Sequence, residues 1–599
     1  MLASLLVAWA APLAPLRAAE LLEVRLEGLA LPLNLRQLQV WARQPQDRSA
    51  VNALAEADLL VWLNLLSPVT QRDLRQLLNT PLLRERSFGR QLLDSWASRQ
   101  VLEEVGQLLT RADGSPTTDQ LQSTLQRLLS ERRDVTAIDL LRELPEERLS
   151  LQLDTVLVTA GQWRQQLALQ SQALKGLQNL GLPVQPADGA WLRSQPSYPL
   201  EAGVPSRVSL AARRPVSWRK VAIEGQKLSF KVPHRVQPLP LVVWRALNGT
   251  GPAAGSATGP APAPATDPAS ATGPASATGP APATGPAPAT GPANAASPSL
   301  PWVLLLPGLG GDIDQLSWLA EGLARRGWSV LALQHPGSDA AALREALQGQ
   351  RPPPGGESLA LRLADIDAVL QAQRLGRLPV SGDGLVLMGH SLGAVTALLA
   401  GGLLPEPGLE PRCRATLTRL PFTNPSRLLQ CQLPPSVRNR GLIGPGELRA
   451  VVGFNPFGSL LWPRRGLSGL SVPLLLGGGS LDLVTPPLEE QLGLFPPDVN
   501  PRSRLVLVQG GSHFSPIHVA DGNSALFRLG DELVGVAPLV VQELLLQLTS
   551  EFLSGLALPN LASPHQPSPP PPQRRSRAGV TAFVLDPQAA QRWRRELHP

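Results

Sequence analysis

The chain has 599 residues, 54 basic against 47 acidic, for a net charge of +7. Its 43% hydrophobic content can fill one or two large cores, which excludes a wholly disordered protein, while 63 Pro and 53 Gly mark stretches unable to pack. Only 17% of residues are charged and Arg is dispersed without a basic, aromatic-rich stripe, which argues against a nucleic-acid partner; two cysteines exclude a disulfide scaffold or a Cys-rich zinc module.

At the N-terminus, residues 2–16 (LASLLVAWAAPLAPL) form an apolar run too short and too Pro-broken to span a bilayer as a helix. Followed by Arg17-Ala18-Ala19, it resembles a secretory signal peptide over 1–19 and predicts an exported, periplasmic or secreted, protein. Residues 20–185 read as an all-helical domain. Leu74, Leu77 and Leu78, then Leu102, Val105, Leu108 and Leu109, then Leu121, Leu125, Leu128 and Leu129 recur at three and four spacing, the last group behind Thr117 and Thr118 as candidate caps. No cluster with metal-ligand spacing falls there, so the domain is assigned packing and no chemistry.

From about 195 to 248 the texture changes to short strand-like runs, at 204–210 and 240–244, separated by polar turns. Residues 249–300 repeat GPAPAT-like units with almost no charge and no large side chain, the composition of a disordered, partly polyproline tether. Because a strand-like run flanks it on each side, the tether is expected to be the swollen tip of a hairpin inside one domain. Over 301–556 apolar strands at 303–306, 329–333, 385–388, 450–454, 474–476 and 505–508 alternate with helices near 315–326, 357–372 and from 392. That alternation predicts an α/β fold with a mostly parallel sheet covered on both faces. The apolar run at 533–548 carries Glu543 and suits a buried amphipathic helix, and residues 557–599 are read as a Pro-rich, disordered tail.

Gly389-His390-Ser391-Leu392-Gly393 matches G-x-S-x-G, a sharp strand-to-helix turn that lifts a serine hydroxyl above a sheet. The apolar strand at 385–388 runs into it and the small-residue helix Ala394, Val395, Ala397, Leu398 leaves it. A serine attacks only as its proton is removed, so it needs a base and the base an orienting carboxylate. Asp482 and His513 each lie on a loop after their own strand, in the order Ser, Asp, His. Pro307-Gly308-Leu309-Gly310-Gly311 follows the first strand of the alternation, where backbone amides can meet a developing oxyanion. Leu309 and Leu392 are the candidate oxyanion donors, and Gly389 and Gly393 shape the elbow. His335, His390 and His518 are read as structural neighbours rather than catalysts.

On these pieces, with Ala332-Leu-Gln-His335-Pro-Gly-Ser338 and Arg362-Leu-Ala-Asp365-Ile-Asp367, residues 301–555 resemble the α/β-hydrolase superfamily. The resemblance is to the branch of platelet-activating-factor acetylhydrolases and dienelactone-hydrolase-like esterases. With its N-terminal region the chain is similar to exported hydrolases of photosynthetic bacteria that carry an all-helical N-terminal domain. Residues 402–447 lie where such folds insert caps. Leu403, Leu404, Leu417, Leu420, Phe422, Leu428 and Leu429 there line an acyl pocket or pack a core, and both readings stay open. Both cysteines fall in this insertion: in an exported protein Cys413 and Cys431 would close a loop contributing roughly 3 kcal/mol, in a cytosolic one they are buried thiols. The function read from the sequence is a serine carboxylic-ester hydrolase without cofactor or metal, on a small-molecule or lipid ester, with peripheral membrane contact left open. The alternatives are an acyltransferase or a pigment or polymer esterase with the same triad, or a hydrolase-fold scaffold without catalysis.

Overall fold

A computed structural model of the chain describes residues 19–26, 28–43, 63, 67–79, 81–84, 98–131, 134–186, 221–247, 300–348, 350–418, 421–434, 437, 442–444, 446–518, 537–556 and 569–597. The signal-like segment at 1–18, the strand-like run at 204–210 and the repetitive segment at 249–299 lie outside the described residues.

The N-terminal region is mixed rather than all-helical. Its elements are β1 (Leu21–Leu26), β2 (Leu29–Asn34), α1 (Leu35–Arg43), α2 (Pro68–Asn79), β3 (Pro81–Arg84), α3 (Ser98–Leu108), β4 (Leu109–Arg111), α4 (Thr118–Glu131), β5 (Asp134–Thr136), α5 (Ala137–Glu143), β6 (Arg148–Gln152) and α6 (Leu153–Asn179). β1 pairs antiparallel with β2 and parallel with β6, and β6 pairs antiparallel with β4; β3 and β5 form a separate antiparallel pair. The expectation of helices alone failed because these strands run three to six residues. Two of them carry a period of two, Leu22, Val24 and Leu26 against Glu23 and Arg25, and Leu149 and Leu151 against Ser150 and Gln152, but Leu is also a good helix former and the helices around them set the texture of the region. Leu121, Leu125, Leu128 and Leu129 do face the core, with Leu22, Leu35 and Leu149.

The rest of the described chain forms an eleven-stranded sheet in the order β7-β16-β17-β15-β14-β13-β12-β10-β11-β9-β8. Its members are β7 (Val184–Pro186), β8 (Ile223–Phe230), β9 (Leu239–Ala246), β10 (Trp302–Leu306), β11 (Val330–Leu333), β12 (Leu385–His390), β13 (Leu448–Phe454), β14 (Leu474–Gly479), β15 (Arg504–Val508), β16 (Gln573–Arg577) and β17 (Val580–Leu585). The six from β11 to β15 are mutually parallel, flanked by antiparallel β9 and β17. Alternate residues feed two cores: Leu304, Leu331 and Leu387 point into one, Val303, Val330 and Val386 into the other. Burial on both faces explains why these strands read as continuous apolar runs. The helices that supply the covers are α7 (Ser317–Ala324), α8 (Ala340–Leu347), α9 (Leu359–Arg374), α10 (Leu392–Ala400), α11 (Leu409–Thr416), α12 (Ser426–Gln430), α13 (Pro538–Ser554) and α14 (Pro587–Leu597). Leu544, Leu548 and Phe552 of α13 fill the core that α7 also joins, and Ala589 and Trp593 of α14 fill the opposite one.

Two expectations are corrected here. The strands on either side of the repetitive segment share one sheet but form no hairpin, because β11 lies between β9 and β10 and pairs with both. The tail at 557–599 is not disordered throughout. Residues 573–597 build β16, β17 and α14, with the turn at Ala578-Gly579 in left-handed conformation at both positions, and the buried Arg575 donates to Glu551 of α13. The Pro run at 567–572 dominated the composition of the tail and hid the hairpin, although the apolar strand VTAFVL beyond an Ala-Gly turn was its signal. Among the described residues no helix is long and apolar enough to cross a membrane.

Helix α6 belongs to both regions. It leaves β6 of the N-terminal sheet, and its last turns place Ala173 and Leu177 in the core of the large sheet, where the Trp593 indole donates to the Ala173 carbonyl at 2.9 Å.

Candidate active site

At the end of β12, Ser391 stands at φ 51°, ψ −121°, and its amide donates to the Phe454 carbonyl of the neighbouring strand at 2.8 Å. The strained corner holds because its neighbours are glycines: a Cβ on Gly389 would overlap the Gly393 backbone, and one on Gly393 would overlap the Leu306 and Pro307 carbonyls. From this corner the Ser391 hydroxyl lies 3.0 Å from His513 Nε2, and His513 Nδ1 lies 3.0 Å from Asp482 Oδ2. With the carboxylate accepting from Nδ1–H, the free Nε2 lone pair faces the serine proton. Ser391, Asp482 and His513, far apart in the sequence, are thus brought into one hydrogen-bonded chain.

Asp482 sits on the loop after β14 and has every oxygen engaged. Oδ1 accepts from the amides of Val484 and Thr485 at 2.8 and 2.7 Å. Oδ2 accepts from Asn455 Nδ2 at 2.6 Å, from the Thr485 hydroxyl at 2.5 Å and from His513. Burial opposes ionisation, but the His513 ring and the hydrogen bonds from His513 and Thr485 outweigh it, and the carboxyl lies below its ordinary value. Sequence reasoning missed Asn455 and Thr485. The spacing Asp482-x-x-Thr485 was a signal of a side chain capping its own loop; Asn455, at φ 49° just past β13, gave none.

His390 precedes Ser391 in the same turn. Its Nε2 donates to the His513 carbonyl at 2.8 Å and so fixes the backbone at His513. Burial and the nearby His513 push its pKa down to about 3, which keeps it neutral.

Residues 303–524 match the model of the Alpha/beta hydrolase family. The large sheet has the α/β-hydrolase fold. Residues 18–152 match a second model, described as Alpha/beta hydrolase of unknown function (DUF1400), which takes in most of the mixed N-terminal region. No curated protein matches the chain.

The loop Pro307–Gly311 borders Ser391, for a Cβ on Gly308 would lie 3.4 Å from that of Ser391. Among the described residues no acceptor takes the amide hydrogen of Leu309 or of Leu392. Beneath the loop, the fully buried Arg362 donates Nη1 to the Pro307 carbonyl and Nη2 to the Gly308 carbonyl, both at 2.8 Å, and Nε to the Ser338 hydroxyl at 2.9 Å. One turn along α9, Asp365 accepts from Arg235 at 2.6 and 2.7 Å, from His234 at 2.8 Å and from His335 Nδ1 at 2.8 Å. Burial and Arg362 push the His335 pKa down to about 4 against the pull of Asp365. Its Nε2 has no partner among the described residues.

The insertion after α10 carries the disulfide Cys413–Cys431, which joins α11 to the end of α12. Glu490, wholly buried in a π-helical turn at Leu488–Leu492, ties the insertion to the segment that follows β13. It accepts from Asn424, Ser426 and Gln430 on one side and from the amides of Gly458 and Ser459 on the other. Helix α6 reaches the same place: Gln166 donates to Glu489 at 3.5 Å and Gln170 to the Asp482 carbonyl at 3.3 Å. A cleft of about 730 Å³ opens beside the disulfide, lined by Leu404, Leu409, Leu433 and Val437, and none of Ser391, Asp482 and His513 lines it. Of the leucines proposed for an acyl pocket, Leu404 lines this cleft, Leu403 is buried in the main core and Leu429 packs against it. Among the described residues no group of three His, Cys, Asp or Glu is placed to hold a metal ion.

Proposed function

We propose that the domain is a serine hydrolase of carboxylic esters, with Ser391 as nucleophile, His513 as general base and Asp482 as its orienting carboxylate. The observation that carries this reading is the chain Ser391 Oγ, His513 Nε2, His513 Nδ1, Asp482 Oδ2 with 3.0 Å at both links. As Oγ bonds to the ester carbonyl carbon, its proton passes to His513 Nε2 and the carbonyl π pair moves onto oxygen. The amides of Leu309 and Leu392 receive that oxyanion. Collapse breaks the bond to the alkoxy oxygen, which leaves as the alcohol with the proton from His513. Water then repeats the cycle on the acyl-serine, giving a carboxylic acid and free Ser391. The substrate is proposed to be lipid-like, as in the acetylhydrolase branch that the motifs resemble, and the setting periplasmic or extracellular, where Cys413–Cys431 would persist.

The test is hydrolysis of p-nitrophenyl esters of increasing acyl length by the full chain. Turnover that disappears in Ser391→Ala supports the reading, and the acyl length with the highest kcat/KM defines the substrate class. Absence of turnover on every ester by folded protein contradicts it.

A further inference from the structure

The buried Arg362 is not used by the proton relay, and among the described residues no carboxylate lies within ion-pair distance of its guanidinium. Removing a cation from water without such a partner is costly, so its placement calls for an explanation. All the acceptors it takes are the Ser338 hydroxyl and the carbonyls of Pro307, Gly308 and Ser338. Two of those carbonyls belong to the loop that borders Ser391.

The peptide bond between Gly308 and Leu309 is trans, since the described chain has no cis peptide. In a trans peptide the carbonyl and the N–H point in opposite directions in one plane. With the Gly308 carbonyl held by Arg362 at 2.8 Å, the Leu309 N–H is turned to the other side of the loop, where no described residue accepts it. The neighbouring Pro307 carbonyl is held by the second arm of the same guanidinium. A planar fork with two parallel donors fixes both carbonyls at once, which a lysine ammonium, a single point charge, cannot do.

Resting on the esterase reading above, we propose that Arg362 is a positioning residue for the transition state, aiming the Leu309 amide at the oxyanion formed on Ser391 and polarising that amide through the carbonyl of the same peptide. It touches no reacting atom. Its effect is confined to the step in which charge develops on the substrate oxygen, while the ground-state ester and the relay of Ser391, His513 and Asp482 are untouched.

The experiment measures p-nitrophenyl acetate hydrolysis and inhibition by an alkyl trifluoromethyl ketone, which forms a tetrahedral oxyanion with a serine, in the wild-type chain, Arg362→Met and Arg362→Lys. The proposal expects kcat to fall by about 10²-fold in Arg362→Met, the usual loss for one oxyanion donor. KM and the pH profile stay as in the wild type, and ketone affinity falls in the same proportion as kcat/KM. Arg362→Lys keeps the buried charge and guards against a folding defect; it is expected to show the same pattern with a smaller loss. A folded variant of either kind with wild-type kcat overturns the proposal, as does a fall in kcat with ketone affinity unchanged. A wild-type chain without Ser391-dependent turnover sinks the esterase reading itself, and with it this proposal; an active wild type insensitive at Arg362 sinks the proposal alone.

Discussion

Acidification is predicted to destabilise the hydrolase domain through two histidines outside the triad. Burial and Arg362 hold His335 down to about 4, and burial and His513 hold His390 down to about 3, against an ordinary value of 6.5. In the unfolded chain both rings take up protons near 6.5, while in the folded chain they stay neutral far below it. Between roughly pH 4 and 6.5 the unfolded state therefore binds more protons, so stability is full above 6.5 and is lost as the pH falls through that window. Each ring contributes up to about 1.4 kcal/mol per pH unit, so lowering the pH from about 7 to about 5 is expected to remove about 2 kcal/mol per histidine, about 4 in all. Asp365 and Asp482, held below their ordinary 3.8, act in the same direction only at more acid pH. The assay is urea unfolding followed by tryptophan fluorescence across this range. His335→Asn keeps a donor to Asp365 and His390→Gln keeps one to the His513 carbonyl, and each should remove about half of the slope. Equal unfolding free energies at the two pH values, or variants with the full wild-type slope, refute the reasoning.

Three further outcomes follow from the geometry. Ser391→Gly should be more stable than Ser391→Ala by about 1 kcal/mol in thermal or urea unfolding, because glycine relieves a left-handed φ that alanine retains, partly offset by the greater freedom of glycine in the unfolded chain. Replacing both Cys413 and Cys431 by Ala opens a loop with a sequence separation of 18 and should lower the unfolding free energy by about 3 kcal/mol, with the wild type reaching the same midpoint after reduction. Asp482→Asn should lower kcat by roughly 10⁴-fold with KM little changed, since an amide can stabilise the wrong imidazole tautomer, whereas Thr485→Val, which leaves Asp482 four other donors, should cost far less.

The parallel half of the sheet was legible because burial on both faces writes each strand as an apolar run, as in Trp302–Leu306 and residues 505–508 of β15. The turn at 389–393 was legible because Gly389 and Gly393 are sterically obligatory, and the approach of Asp482 and His513 to it because each follows such a strand. What the sequence concealed depends on distant pairing. β1 and β6 are joined across more than a hundred residues, and the short apolar alternation of each, Leu22-Glu-Val-Arg-Leu26 and Leu149-Ser-Leu151, sits among helices whose leucine spacing outweighed it. β16 and β17 complete a sheet edge from a tail whose prolines set its apparent character. In the site, Asn455 and Arg362 carry roles set by what their side chains reach in three dimensions. Arg362 stood in a recognisable segment, but nothing in RLADID says that its guanidinium turns away from the nearby carboxylate to hold two loop carbonyls.

The central claim is that Ser391 is a nucleophile activated by His513 and Asp482. Treatment of the full chain with a fluorophosphonate, followed by mass-spectrometric mapping of the adduct, tests it most directly. The account predicts stoichiometric modification confined to Ser391, absent in Ser391→Ala and slowed in Asp482→Asn. Folded protein that takes no label, or takes it at another residue while Ser391 stays free, would contradict the account.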